Sequence, residues 1–178
     1  MIYPFIYCEL MPIKYQMSKV DHLRLIQELS EHIAAYRFSM AEEIFANLDL
    51  RAIPAPLAAD FSRLARQVHL YKESLQILHP HIYGVQKPSA DLLVEYASSL
   101  RRIGLVNQCL HLLTRVDHPQ TPLHRAYSHI HFWDYKNAAQ ELSNYLKDPK
   151  LEERDRLVAQ LNLISCHVVL GDYERALD

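Results

Sequence analysis

Glycine is nearly missing from this sequence, at 3 of 178 residues. That scarcity excludes a phosphate-cradling P-loop and a G-x-G-x-x-G dinucleotide fingerprint. It also argues against a β-sandwich or barrel, which needs many turn glycines. The three cysteines, Cys8, Cys109 and Cys166, are odd in number, far apart and form no CxxC pair. A disulfide framework is therefore not expected, and reduced, partly buried thiols point to the cytoplasm. No run of 18 apolar residues exists, so no transmembrane helix is expected. Charge is nearly balanced, at −2 with a pI near 6.6. Nothing global draws the chain to nucleic acid or an anionic membrane. There is no G-x-S-x-G elbow and no HExxH, so neither catalysis nor a metal or other cofactor is expected. His79-x-His81 and His129-x-His131 are the H-x-H pairs of the sequence. Residues two apart on a helix do not share a face, which disqualifies the second pair. The first lies in an expected loop with no further ligand at metal spacing.

What the chain does have is apolar content of 49% against 22% charged, which is globular rather than disordered. It also has proline in a regular place. Pro54, Pro88 and Pro122 fall at a constant interval of 34 residues. Between proline clusters the apolar residues recur at helical spacing. Val20, Leu23, Ile26, Leu29 and Ile33 define a helix over 20–35, and Met40, Ile44, Phe45 and Leu48 one over 39–49. Further helices are expected over 57–68, 71–79, 105–116, 123–132 and 135–147, with 79–88 as the longest loop. Ser89 caps a helix that ends at Gly104, and Asp134 caps the one from 135. A helix restarting at Leu151-Glu152-Glu153 runs to Gly171, where Asp172 caps the last one. A 34-residue recurrence of helix, turn and helix is the mark of a stacked repeat. An ordinary helical bundle is the alternative.

Five short frames share a pattern. Gly171-Asp172-Tyr173-Glu174-Arg175-Ala176 is the strongest, and Trp133-Asp134-Tyr135-Lys136-Asn137-Ala138 repeats it. Weaker copies end at Ala41, Ser74 and Cys109. Each closes on a small residue, which lets the two helices of a hairpin approach closely. The frame resembles the G-x-Y-x-x-A turn of the tetratricopeptide repeat. The resemblance covers residues 20–178 and implies an all-α, right-handed α-solenoid of antiparallel helix pairs with a period of about 34 residues. On that reading residues 17–178 form the repeat domain, with Ser18 and Asp21 at its first cap. Residues 1–16 lie outside it, as an extended arm or an upstream extension from a mis-assigned start codon.

The resemblance also implies that first helices line an inner surface where a protein segment binds. That places Arg63 and Arg66 beside Arg101 and Arg102, with Tyr127 and His131 continuing the surface. Planar guanidinium groups suit carboxylates, so the expected partner is an acidic peptide or helix. The plainer reading is a solvated basic edge neutralised by Asp60, Asp91 or Glu95. Ala59 and Arg63 stand where the chaperone-tail clamp of the family shows Lys and Asn, so recognition of chaperone tails is not implied. Tyr71, Tyr96, Tyr135 and Tyr173 read as packing residues. The sequence stops about seven residues into its last helix, so the last repeat reads as truncated, and a second expectation is self-association through Val168, Val169, Tyr173 and Leu177. Three roles stay open: an interaction scaffold, the regulatory arm of a larger protein, or a small cargo chaperone.

Overall fold

The computed structural model describes residues 19–177, with side chains from residue 21. Both the 1–16 arm and the Ser18 cap lie outside the described residues. The chain is all-helical there, with ten helices and no strand. They are α1 (Lys19–Ala34), α2 (Phe38–Asn47), α3 (Ala55–Gln67), α4 (Tyr71–Tyr83), α5 (Ala90–Arg102), α6 (Val106–Leu113), α7 (Thr121–His131), α8 (Tyr135–Tyr145), α9 (Glu153–Leu170) and α10 (Tyr173–Leu177). Consecutive helices pair as hairpins, α1 with α2 through α9 with α10. The first helices also touch one another, α1 on α3, α3 on α5 and α5 on α7. That arrangement is consistent with a helical repeat.

The hairpin turns are built alike. Tyr36, His69, Gly104, Trp133 and Gly171 each adopt a positive φ, between 56° and 86°. The residue after each donates its N–H back across the helix end: Arg37 to His32, Leu70 to Ala65, Leu105 to Leu100, Asp134 to His129 and Asp172 to His167. These are Schellman closures, which satisfy carbonyls the helix leaves open. The next helix starts two residues after the positive-φ position every time. Five residues after it comes the small residue of the sequence frame. Ala41, Ser74, Cys109 and Ala138 are all 0% exposed, which leaves no room for a longer side chain. Three of the five turns place a bulky residue where glycine is easiest. At Gly104 an added Cβ would meet nothing within 4 Å. The cost of Gly104→Ala is therefore conformational alone, and a loss of about 1 kcal/mol is expected in urea unfolding.

Ser89 and Asp134 cap α5 and α8 as the sequence reading has them, accepting from the N–H of Leu92 and Asn137. The largest boundary difference is at the end of α4. The α4 helix continues through Pro80 to Tyr83, so His79 and His81 are helical rather than in a loop. Pro80 has no N–H to give the Gln76 carbonyl, so α4 runs on with one backbone bond missing, and the Gly84 N–H closes the last turn by donating to the Pro80 carbonyl. His81 Nε2 bonds the Ile53 carbonyl oxygen at 2.9 Å and pins that turn against the α2–α3 connection.

The core divides in two. One cluster runs from Leu29 to Val116, with Phe45, Phe61 and Ile77 fully enclosed. A smaller one holds Ala126, Ala138, Leu142, Tyr145 and Ala159. Each large apolar side chain so enclosed contributes about 1.5–3 kcal/mol. The seam between the clusters is polar: Cys109 Sγ lies 3.4 Å from Ser128 Oγ, and Thr121 Oγ1 donates to the Val116 carbonyl.

Candidate functional site

Helix α5 is buried along Val94–Leu100, and it carries polar groups into that interior. Glu95 is 6% exposed. Such a charge persists only if it is paired. Its partners come from α3. Arg63 Nη2 donates to Glu95 Oε1 at 3.2 Å, and Arg63 also reaches Asp60. Arg66 Nη2 meets Glu95 Oε2 as an ion contact outside hydrogen-bond angles. Arg66 Nη1 donates to Ser62 Oγ, Ser99 Oγ and the Glu95 carbonyl, each at 3.3 Å. Beneath it the hydroxyls of Ser62, Ser74 and Ser99 form a chain with links of 2.7 and 2.6 Å. The small residues at this three-helix contact therefore do more than allow close approach. They complete a buried polar network.

Beside that network is an open cavity of about 370 Å³. All four predicted arginines line it, and so does Tyr127. Arg63 and Arg66 enter from α3, Arg101 and Arg102 from the end of α5, and Tyr127 from α7. The cavity thus lies over the seam between the two core clusters. The Arg101 guanidinium sits 5.3 Å from the centre of the Tyr127 ring, a cation–π distance. Neither Arg101 nor Arg102 forms an ion pair among the described residues, and Arg101 Nε is buried without a hydrogen-bond partner. Burial pushes the Arg101 pKa below its ordinary value, and the Arg102 charge pushes it further. The Arg66 pKa falls by burial too, against the pull of Glu95.

His124 on the cavity wall was not among the sequence candidates. Its Nδ1 is buried without a partner, and its pKa is lowered to about 3, first by burial and then by Arg101, Arg66 and His118. It is a neutral imidazole at any ordinary pH. His131 stays outside the cavity: it is exposed, with its ring edge-on to Phe132. Two other histidines close turns. His129 Nδ1 lies 3.1 Å from Asp134, and His167 Nδ1 3.8 Å from Asp172, both across a Schellman turn. His118 pairs with Asp91. Among the described residues no group of three or more metal-type side chains converges.

Of the residues proposed for self-association, Val168, Val169, Tyr173 and Leu177 are all exposed, Leu177 at 89%. Tyr173 therefore does not pack as its spacing implied, whereas Tyr96 is 8% exposed. A larger cavity of about 710 Å³ borders α2 and α4, with Glu42, Asp49 and Glu73 around Arg51. It holds none of the predicted residues. No described helix is long and apolar enough to cross a membrane. Comparison of the chain with protein-family models, curated proteins and solved structures gives no match.

Proposed function

We propose that this chain is a right-handed, tetratricopeptide-type α-solenoid of degenerate period, and that it works as a protein-interaction module. An acidic segment of a partner protein docks on the basic cavity between α3, α5 and α7. One observation carries this reading. Arg101, half-buried with its Nε enclosed, and the exposed Arg102 beside it hold two adjacent positive charges, and neither forms an ion pair with a carboxylate among the described residues. Unpaired charge out of water is costly, and an acidic partner relieves it. Arg63 and Arg66 have a different part. Their charge is shared with Glu95, so they shape the wall and hold it rigid. The test is affinity capture from the source cell's lysate with the native chain, Arg102→Glu and Arg101→Glu/Arg102→Glu. Recovery of the specific partner is expected to fall at least about tenfold in both variants, with helical circular dichroism unchanged. Arg102 is exposed, so its single variant keeps the test valid if the double variant unfolds. A partner recovered equally by all three forms places the interface elsewhere.

A further inference from the structure

We infer that the group this cavity takes is a phosphate monoester, carried as a phosphoserine or phosphothreonine side chain on the partner segment. This rests on the interaction reading above and names its ligand. The first argument is charge. Four guanidinium groups meet two carboxylates, Glu95 and Asp60, so two positive charges are left over. The C-terminal ends of α3 and α5, where Arg66, Arg101 and Arg102 sit, each offset up to about half a charge before screening, and Asp155 acts on the Tyr127 edge of the cavity. A phosphate monoester brings about −1.5 to −2, against −1 for a carboxylate. In formal charge one phosphate matches the excess of two guanidinium groups, and one carboxylate matches half of it.

The second argument is the donor set. No acidic side chain lines the cavity itself; Glu95 lies beneath Arg63 and Arg66. Around the two free guanidinium groups stand neutral groups: the Ser98 hydroxyl, the Tyr127 phenol and the His124 imidazole. Guanidinium forks beside neutral donors suit an anion with three acceptor oxygens converging on one point. The third argument is room. Two carboxylates supply equal charge only as two side chains, and 370 Å³ open to solvent between aromatic walls favours one compact dianion. Its seat over the seam lets it tie α5 to α7, where the hydrophobic core is interrupted.

The test uses the full chain labelled with ¹⁵N. It is titrated at fixed ionic strength with three short Gly/Ala-flanked peptides that differ only in a central phosphoserine, glutamate or serine. Inorganic phosphate and sulfate are titrated beside them. The readouts are the side-chain Nε–H signal of Arg101 and the dissociation constant. The phosphoserine peptide is expected to shift that signal and to bind at least about tenfold tighter than the glutamate peptide. Arg102→Gln is expected to weaken the phosphopeptide by about tenfold. Equal binding of the glutamate and phosphoserine peptides would overturn the phosphate assignment and leave the acidic-segment reading standing. An Arg101 signal that no peptide moves would overturn both. Inorganic phosphate binding as tightly as the phosphopeptide would reduce the site to a free-anion site, and an unaffected Arg102→Gln would place the phosphate elsewhere.

Discussion

Glu95→Ala is expected to destabilise the fold by about 3–5 kcal/mol. Glu95 is buried on α5, and Arg66 on α3 is 13% exposed at its side chain. Removing the carboxylate leaves the Arg66 guanidinium in the interior with only neutral acceptors, the Ser62 and Ser99 hydroxyls and a backbone carbonyl. Arg63 loses a partner too, but its side chain is 53% exposed and water replaces the lost bond. Small domains are stable by about 5–15 kcal/mol, so this one change removes a large share of the total. The control is Arg66→Met/Glu95→Leu. Replacing both members of a buried pair by apolar groups removes the desolvation cost together with the attraction, so the double variant should recover most of the loss. A double-mutant cycle in urea gives the coupling directly. Additive single effects would show that Arg66 does not depend on Glu95.

The same pair marks where sequence reading stops. The five hairpin frames were visible because each is local. A positive-φ residue, a helix start and a small residue fall within six positions, and in the last two frames a capping Asp134 or Asp172 adds a signal that survives in single letters. The arginine cluster was visible as well, since Arg66 and Arg101 stand about one repeat apart. What a string does not show is which cations are already spent. Arg63 reaches Glu95 across 32 residues, and the pairing depends on α5 presenting a carboxylate to its buried side. The serines at 62, 74 and 99 read as small. Their hydroxyl chain exists only because three helices converge. His124 gave no signal at all, because a lone histidine becomes unusual only when arginines from two other helices surround it. His79 and His81 were misplaced for a simpler reason. A proline after a helical run reads as a stop, and α4 continues through Pro80 to Tyr83 with one backbone bond missing.

Acidification from pH 7 to pH 5 is expected to cost the native chain on the order of 2 kcal/mol through His124 alone. The imidazole is buried beside Arg101 and Arg66, and its folded pKa is held at about 3. An unfolded histidine titrates near 6.5. Above that value both states are neutral and the contribution is complete. As pH falls below it, the unfolded chain takes up a proton that the native chain refuses, so stability declines until about pH 3. Urea midpoints should fall steadily between pH 6.5 and 5, and His124→Gln should flatten that slope while keeping a polar side chain of similar reach. A slope unchanged in His124→Gln would show that the imidazole is not held neutral in the fold. The same titration bears on the cavity. Arg101 and Arg66 both disfavour the imidazolium, and a bound phosphate would neutralise part of their field. With saturating phosphopeptide the His124 pKa should rise, read from its ring proton shifts, because the phosphate itself titrates near pH 6 and adds its own pH dependence to the urea midpoints. This buried imidazole thus reports whether an anion occupies the site beside it.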